Sequence, residues 1–296
     1  MINILKYRYP AAFVSLSILL AAGIMCVYRI QTRGHAFSYS VDFTGGTQVL
    51  LKFDRSMTAP EISSALDVEW PGAVLRKFHE DEYLVRVKEF SSDSQGLATR
   101  MVQALQKTYP DIKTQVLENE SVGAGVGESL RYKSLMAVLY ALIALLIYIA
   151  VRFWSIGFAV GSVVALTHDA LIILSIFLLA DREISVTVIA AVLAILGYSI
   201  NDTIVIYSQI RENLNSIKNR SMYDIVNISL NQTMRRTILT SLSTALTVGS
   251  MLVFGGEALR NFSLALLIGI IFGTLSSIFI ASPIVMFFDK DKKRAA

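Results

Sequence analysis

Six long apolar stretches dominate this chain of 296 residues. They cover residues 11–28, 134–151, 154–180, 184–210, 237–256 and 262–288. Most of them are long enough to cross a hydrocarbon core of about 30 Å as an α-helix. Because 54% of the residues are hydrophobic and only 17% are charged, the composition favours a polytopic membrane protein over a soluble globular one.

The first apolar stretch is interpreted as an uncleaved transmembrane helix over residues 11–30. It follows Lys6 and Arg8, so a signal peptide is the alternative. No small-x-small cleavage site follows it, and Met25 precedes Cys26 where a lipoprotein signal needs a small residue. Cys26 is the only cysteine of the chain, so no intrachain disulfide can form.

The short loops predict the orientation of the chain in the membrane. One side collects 12 basic residues and the other only Arg182 and Arg260, which predicts cytoplasmic N- and C-termini. In this topology residues 1–10 and the basic tail 289–296 are cytoplasmic, and residues 131–288 form the bundle of helices two to six. The 12 basic residues are Lys6, Arg8, Arg152, Arg211, Lys218, Arg220, Arg235, Arg236, Lys290, Lys292, Lys293 and Arg294.

Residues 31–130 are predicted to form one α+β domain outside the cytoplasm. Strands at 48–53, 73–79, 83–87 and 113–118, with helices at 59–68 and 95–109, give the order βαββαβ. A ferredoxin-like antiparallel sheet with two helices on one face is the compact solution for that order. The segment carries 14 acidic against 10 basic residues, which argues against nucleic-acid binding. It lacks clustered metal ligands and favours a binding or mechanical module.

Two glycine-bearing segments flank this domain and are predicted to act as hinges. One contains Asp42, Gly45 and Gly46, and the other contains Gly123 and Gly127. The second is not a phosphate-binding loop, because no Lys-Ser/Thr pair follows it. Glycine supplies backbone conformations that a hinge needs.

Asp202 is the only charged residue between 184 and 210. On a helix it lies roughly 13 Å from Arg211 and roughly 28 Å from Glu183, which is within the hydrocarbon. Desolvation favours the protonated form of a carboxylate, so Asp202 can bind and release an ion. Tyr198 and Ser199, one turn earlier, are predicted to hydrogen-bond it. A neutral carboxyl that locks helices together is the alternative.

Span five offers a counterpart to Asp202. Arg236, Thr240, Ser243, Thr244 and Thr247 recur at helical spacing and form a polar stripe that we expect to face the bundle interior or a wet path. Arg236 alone could also be a snorkelling positive-inside residue.

In span three, His168 and Asp169 form either a proton relay or a hydrogen-bonded packing pair. The two small-residue series, Gly157, Gly161 and Ala165 and then Gly269, Gly273 and Ser277, are predicted to pack against neighbouring helices.

Six ordered motifs carry a resemblance to a known family. They are VDFTGGT (41–47), ALTHD (165–169), GYSINDTIV (197–205), REN (211–213), RTILTS (236–241) and FGG (254–256). Together they resemble the SecF family of protein-export membrane proteins, within the resistance-nodulation-division superfamily. By this resemblance Asp202 matches the family's proton-carrying aspartate and Arg236 its span-five arginine. The predicted pathway also includes Tyr198, Ser199, Asn201, Thr240, His168 and Asp169.

The resemblance implies a subunit of the bacterial inner membrane that pairs with SecD. It further implies partnership with the SecYEG channel, an unfolded preprotein, YidC and YajC, and use of the proton-motive force without nucleotide hydrolysis. Two departures are present: Arg152 precedes Phe153 and Trp154 where an acidic residue is common, and the sequence shows no SecD half. The second departure implies a separate partner chain, unless the sequence is an excerpt of a longer fusion.

Two other functions and a second coupling ion stay open at the level of sequence. The chain could be a small-molecule or lipid exporter of the same superfamily, or a non-transporting assembly scaffold. A carboxylate with nearby hydroxyls can bind Na⁺ as well as a proton. We expect no catalytic residue, metal or other cofactor.

Overall fold

The computed structural model describes residues 2–77 and 81–288. The chain divides into two compact units. A membrane unit contains the chain up to Ser38 and from Met136 onward, and an α+β unit contains Tyr39–Leu135. The predicted basic tail at 289–296 lies outside the described residues.

The chain leaves the membrane unit once, after Ser38, and returns to it at Met136. The helices are α1 (Arg8–Arg33), α2 (Val41–Thr44), α3 (Ala59–Leu66), α4 (Ser94–Thr108), α5 (Ala124–Phe153), α6 (Ile156–Leu179), α7 (Val186–Ser216), α8 (Met222–Phe254), α9 (Gly256–Ser276) and α10 (Ser282–Phe288). The strands are β1 (Ser38–Tyr39), β2 (Gly46–Phe53), β3 (Val74–Lys77), β4 (Glu82–Val87), β5 (Thr114–Val122) and β6 (Glu183–Ile184).

Within the described residues, six helical segments are long and apolar enough to cross a membrane. Half or more of the central residues of α6, α7 and the last span are buried inside the unit, against about a tenth or less in α1, α5 and α8. The centre of the membrane unit is therefore built by α6, α7 and the last span. The outer helices leave apolar faces uncovered, which suits a lipid or protein environment.

The last span is interrupted by a π-helical turn at Ser277–Ala281 between α9 and α10. Pro283 follows it and has no backbone N–H to donate to the preceding turn. The Ser282 hydroxyl donates instead to the Ser277 carbonyl at 2.9 Å. Such wide turns are common where a helix contacts a functional site.

Two helices begin well before the apolar spans predicted for them. Helix α5 begins at Ala124 and α8 at Met222, although spans were predicted from 134 and 237. The first turns of both helices are polar, so hydropathy does not count them as part of a span, although their backbone is helical. The compact α+β unit ends at Leu135, and the predicted domain bounds of 31–130 stay a prediction.

The α+β unit contains a four-stranded antiparallel sheet in the order β3-β4-β2-β5. Alternate residues of β2 and β4 point to one face, where they pack against α3 and α4. The core residues on that face include Val49, Leu51, Phe53, Tyr83, Val85, Ile62, Leu66, Leu97, Met101 and Leu105. The predicted βαββαβ order is present in the structure.

Local signals fix the ends of the two core helices. Helix α3 begins with a capping box in which the Thr58 N–H and hydroxyl each donate to Glu61 at 2.7 Å. Helix α4 begins after Asp93, whose carboxylate accepts from the Gly96 N–H at 2.9 Å.

The bounds of the four strands differ from the predicted ones, most of all at β3 and β5. The strand predicted at 73–79 is described as Val74–Lys77, and residues 78–80 lie outside the described residues. The last strand was predicted to end at 118 but continues to Val122, because Gly46 and Thr47 extend β2 and pair with Val122 and Ser121.

Candidate ion-coupling site in the membrane

Asp202 lies on α7 where that helix meets α8 and α9, and only 5% of its surface is exposed. The Ser241 hydroxyl of α8 donates to the Asp202 Oδ2 at 3.3 Å. The same hydroxyl is 2.7 Å from the Thr274 hydroxyl of α9. A carboxylate in the middle of a span is thus held by a short chain of hydroxyls contributed by two other helices.

Arg236 does not pair directly with Asp202. Among the described residues it has no ion pair within 4.0 Å, although it is near enough for its positive charge to act on the carboxylate. Its side chain lies on the exposed face of α8. The predicted partnership is therefore electrostatic in this state, and Ser241 makes the direct contact.

A second buried carboxylate, Asp169 of α6, lies beside this site and is 0% exposed. Its Oδ2 accepts from the Ser199 hydroxyl of α7 at 2.7 Å, and its Oδ1 is 3.2 Å from His168 Nδ1. Ser199 precedes Asp202 by three residues, so one helical turn of α7 carries Asp202 and also contacts Asp169. The His168 Nε2 is buried and has no hydrogen-bond partner in the described part of the chain.

The predicted hydrogen bonds from Tyr198 and Ser199 to Asp202 are wrong. Ser199 donates to Asp169, and the buried Tyr198 hydroxyl has no partner among residues 2–77 and 81–288. Helical spacing placed both residues near Asp202, but it could not show that α6 brings a second carboxylate to the same turn.

The predicted polar stripe on α8 faces two ways. Thr240 donates to backbone carbonyls of its own helix at 3.0 Å. Arg236, Ser243 and Thr247 are exposed, whereas Thr237 and Ser241 are buried against the neighbouring helices. Asn201 of α7 is exposed as well. The predicted stripe thus lies mainly on the outer face of α8. The buried face carries Thr237 and Ser241, which the stripe did not include, and Ser241 contacts Asp202.

A polar seam continues along α7 towards its C-terminal end. The Thr203 hydroxyl is 2.8 Å from the Ser277 hydroxyl, and the Tyr207 hydroxyl donates to the Ala281 carbonyl at 3.2 Å. Both partners belong to the π-helical turn. The spacing of Ser199, Thr203 and Tyr207, four residues apart, could have revealed this seam.

The glycines of the two small-residue series lie at helix contacts. A Cβ at Gly157 would be 2.8 Å from the Phe288 Cβ, and one at Gly269 would be 2.5 Å from the Ile195 side chain. At Gly273 it would be 3.1 Å from Ser199 and 3.4 Å from the Asp169 Oδ2. Gly161 lies directly under the Tyr207 hydroxyl. Close approach at Gly273 is what allows Ser199 to reach Asp169.

The glycine-bearing segments predicted as hinges cross each other inside the α+β unit. Gly45 and Gly46 have φ values of 72° and 109°, which side chains rarely adopt. A Cβ at Gly45 would be 2.6 Å from the Ala124 Cα, and one at Gly127 would be 3.1 Å from the Gly45 N. The Ser40 hydroxyl donates to Asp42 at 3.0 Å, and a Cβ at Gly123 would meet the Phe90 ring and Val126 at ordinary van der Waals distance. Their hinge role stays a prediction.

Outside the spans, Asp181 forms an ionic cluster in the turn between α6 and α7. The buried Arg29 approaches its Oδ1 at 2.8 Å, and Arg33 and Ser38 contact it at 3.2 and 3.0 Å. Burial alone would raise the pKa of Asp181, but the Ser38 hydrogen bond and the two arginine charges lower it below its ordinary value. The cluster joins the C-terminal end of α1 to this turn.

Chemically, the membrane site can bind a proton or a small cation on either of two carboxylates. Each carboxylate is contacted by a serine hydroxyl, which can donate to the charged form or accept from the protonated one. Within the described residues no three His, Cys, Asp or Glu side chains converge to hold a metal ion.

A comparison of the chain with known protein families identifies the class of protein that carries this site. Residues 101–291 match the family described as Protein export membrane protein SecD/SecF, C-terminal, and residues 35–57 match the SecD/SecF GG motif. The first match covers more than half of the chain. The chain belongs to the SecD/SecF family of protein export membrane proteins.

Within the family, relatives named SecF are similar over most of the chain. The protein translocase subunit SecF of Calditerrivibrio nitroreducens is 40% identical over 276 residues, covering 92% of this chain and 90% of the relative. The protein translocase subunit SecDF of Thermus thermophilus is 37% identical over 97% of this chain, but the match covers 38% of that longer protein. The resemblance to the SecF family predicted from the motifs is confirmed.

A solved structure supports the same assignment. The crystal structure of SecDF, a translocon-associated membrane protein from Thermus thermophilus, matches with a TM-score of 0.81 and 36% identity. The match covers 96% of this chain and 38% of that chain. The SecDF structure therefore contains the fold of the present chain, which matches 38% of its length.

Proposed function

We propose that this chain is a SecF-like subunit of the Sec protein translocase, which works with a SecD partner and the proton-motive force to move preproteins across the membrane. The observation that carries the proposal is the buried Asp202, held by hydroxyls in the centre of a six-span unit. A carboxylate at this depth is a functional-site candidate, because a permanently charged one would be costly. The names and coverage of the relatives support the rest.

An exposed polar face of the membrane unit supports a SecD partner. Asn201, Arg236, Ser243 and Thr247 lie on the outer faces of α7 and α8 within the span region. Polar side chains and an arginine are unfavourable against lipid tails, so this face needs a protein or a wet path to cover it. The relative of Thermus thermophilus is named SecDF, as expected if SecD and SecF form one chain there, and this chain matches 38% of its length. A SecD half seated on this face would bring its own groups to Asp202.

In the proposed mechanism, binding of a proton changes the charge of Asp202 and hence its interaction with Arg236. Loss of the carboxylate charge removes the attraction to Arg236, and the Ser241 hydroxyl turns from donor to acceptor. One charge crossing the membrane potential is worth about 2.3 kcal/mol per 100 mV, which is enough to bias two conformations of the spans. The coupling ion is a proton, with Na⁺ as the alternative that ion replacement would reveal.

The α+β unit is proposed to act on the outer side of the membrane. Its strand order, with two helices on one face, supports the ferredoxin-like arrangement. The basic loops support cytoplasmic termini in the bacterial inner membrane, which would make this unit extracytoplasmic. There it would hold an unfolded preprotein that emerges from SecYEG, with YidC and YajC as further partners. The subunit hydrolyses no nucleotide in this scheme.

The test is preprotein export into membrane vesicles that contain the whole translocase, with and without a collapsed proton gradient. We expect Asp202→Asn to co-purify with the SecD-like chain and to lose the gradient-dependent part of export. Asp111→Asn, which neutralises an exposed carboxylate of the α+β unit, is the matched control and should keep full export.

The outcomes separate the proposal from its rivals. Full gradient-dependent export by Asp202→Asn would remove the proton role and favour an assembly scaffold. Gradient-dependent efflux of a small solute, with preprotein export unaffected by loss of the chain, would favour a solute exporter.

A further inference from the structure

Strand β5 forms one edge of the antiparallel sheet in the α+β unit, and its outer side is unpaired. The sheet order β3-β4-β2-β5 gives β5 one neighbouring strand, β2. Within residues 2–77 and 81–288, no backbone hydrogen bond outside that pairing reaches residues 114–122. The backbone N–H and C=O groups that point away from β2 are therefore available to another chain.

The burial of the two neighbouring strands agrees with this edge position. Six of the eight residues of β2 are buried, whereas none of the nine residues of β5 is. The helices cover one face of β5, where Val116 packs against the core that α3 and α4 share with the sheet. The outer edge itself stays open to solvent in the described part of the chain.

The usual protection of an exposed edge is weak in β5. Edge strands are often short or carry lysine or proline, but the sequence TQVLENESV has neither residue type, and β5 is the longest described strand of the sheet. Its one irregularity is a bulge, because Leu50 pairs with Glu118 and Leu51 with Val116. The bulge leaves Leu117 without a partner and 42% exposed.

The charges of β5 are both negative. Glu118 and Glu120 form no ion pair in the described part of the chain, and the Gln48 amide donates to Glu120 only at 3.5 Å. Partial desolvation and the negative charges of Asp42 and Glu118 raise the pKa of Glu120 above its ordinary value. A positive charge beside this strand would relieve the repulsion. Pairing with a second copy of β5 would instead add carboxylates, which is unfavourable.

An apolar patch lies at the end of the same strand. Phe90 is 54% exposed and Val126 is 57% exposed. A Cβ at Gly123, the residue after β5, would meet both of them at ordinary van der Waals distance. An added strand would thus find an apolar contact beside the acidic stretch.

We propose that β5 receives an added strand from an extended polypeptide that carries lysine or arginine residues. Main-chain hydrogen bonds to the outer edge would supply affinity without requiring one sequence, and Glu118 and Glu120 would favour basic segments. The added chain must be unfolded, because the backbone groups of a folded protein are already paired. That this chain is an emerging preprotein rests on the proposed function, whereas the strand addition follows from the sheet itself.

Binding of a synthetic peptide to the full chain, purified with its SecD-like partner in nanodiscs, tests the proposal. The probe is a capped octapeptide of alternating threonine and lysine, whose affinity is measured by fluorescence anisotropy of a labelled copy. Hydrogen exchange locates the site. At about ten times its half-saturating concentration, the peptide should slow exchange of the outward amides of residues 114–122 by about tenfold. The amides of β3, at the opposite edge, should be unchanged.

A matched peptide with N-methyl groups on its central residues keeps the side chains but cannot donate main-chain hydrogen bonds. We expect its affinity to be lower by at least about thirtyfold, from the loss of two or more such bonds. This comparison uses the unaltered protein, so it does not depend on the folding of any variant.

The charge preference is tested by Glu118→Gln/Glu120→Gln, which should weaken binding of the lysine peptide about fivefold. The matched control is Asp67→Asn/Asp111→Asn, which removes two exposed carboxylates outside the strand. It should change the affinity by less than about twofold, because those charges are screened from the edge.

Four results would overturn the proposal. Equal affinity of the N-methylated peptide would show recognition by side chains alone, and slowed exchange in another segment would place the site elsewhere. Equal affinity for a peptide of alternating threonine and glutamate would remove the preference for basic chains. Slow exchange of the outward β5 amides before peptide is added would show that the SecD-like chain already covers the edge. Asp202→Asn should bind the peptide like the wild type, so a failure of the proposed ion coupling is distinguishable from a failure of strand addition.

Discussion

Asp202 and Asp169 are two carboxylates of the same membrane unit that are held in different ways. Asp169 is fully buried and has contacts of 2.7 and 3.2 Å to Ser199 and His168. Among the described residues, Asp202 has one hydrogen bond, of 3.3 Å, to Ser241, and it lies beside the exposed face that carries Arg236. The comparison teaches that burial alone does not identify an ion-coupling residue, because the group that must change its charge needs loosely held partners.

The same comparison assigns different duties to the two sites. Asp169 joins α6 to α7 with satisfied hydrogen bonds, as expected of a residue that locks helix packing. Asp202 lies between the buried Ser241 hydroxyl and the positive charge of Arg236 on the exposed face of α8. The sequence left ion coupling and helix packing open for both residues. We expect Asp169 to serve mainly packing and Asp202 mainly coupling.

The largest expected effect on stability comes from Asp169. We expect Asp169→Ala to lower the free energy of unfolding by about 2 kcal/mol, because it leaves the buried Ser199 hydroxyl and the His168 ring without partners. Asp202→Asn should lower it by less than about 1 kcal/mol, since one weak contact is altered. Unfolding of the purified chain in mixed micelles measures both. Equal losses for the two variants would erase the distinction drawn between them.

Gly273→Ala attacks the Asp169 contact without removing either partner. The added methyl group would lie 3.1 Å from Ser199 and push it from Asp169, so we expect a loss of about 1.5 kcal/mol from overpacking. Gly197→Ala, on an exposed face of α7 with nothing within 4 Å, is the control and should be neutral or slightly stabilising. The comparison fails if the control is as damaging as Gly273→Ala in the same unfolding assay.

Ser241→Ala removes the hydrogen bond that α8 donates to Asp202. The expected loss of unfolding free energy is about 0.5 kcal/mol, the size of an average hydrogen bond between membrane helices. Gradient-dependent export into vesicles should nevertheless fall severalfold. The reason is that Asp202 loses the Ser241 hydroxyl, which donates to the charged carboxylate and accepts from the protonated one. Ser250→Ala changes an exposed hydroxyl of the same helix that is assigned no role in the site, and it should leave export unaltered. An unchanged export rate in Ser241→Ala would show that Asp202 works without this contact.

The smallest effect concerns Asp181, which lies outside the spans. Its folded-state pKa lies below the ordinary value of 3.8, so its contribution to stability is complete above that value and is lost as the pH falls through the folded-state pKa. Since this carboxylate is 40% exposed, we expect the loss to be about 0.5 kcal/mol. Thermal melts of the wild-type chain and of Asp181→Asn between about pH 5 and about pH 3, a range around the ordinary aspartate pKa of roughly 4, measure this loss of stability. The variant should show a flatter dependence on pH.

Much of the fold was predictable because it depends on local patterns. Apolar length gives the six spans, and alternation with turn residues gives the four strands and two helices of the α+β unit. The starts of α5 and α8 were missed because their first turns are polar, and hydropathy detects the membrane rather than the helix. The strand extension at Gly46 was missed because glycine is a poor strand former by itself.

The candidate site was predictable only in part. A lone carboxylate in an apolar span drew attention to Asp202, yet its contacts depend on how three helices are rotated about their axes. Ser241 and Thr274 come from different spans, and no spacing along the chain relates them to Asp202. For the same reason Ser199 was assigned to the wrong carboxylate.

Gly161, Tyr207 and Ala281 meet where three spans touch, and this contact constrains how related chains can vary. Any side chain at 161 would collide with the Tyr207 hydroxyl, which itself donates to the Ala281 carbonyl. Substitution at 161 should therefore occur in evolution only together with a smaller residue at 207. The two positions, 46 residues apart in the chain, should covary as a pair while Asp202 nearby stays fixed.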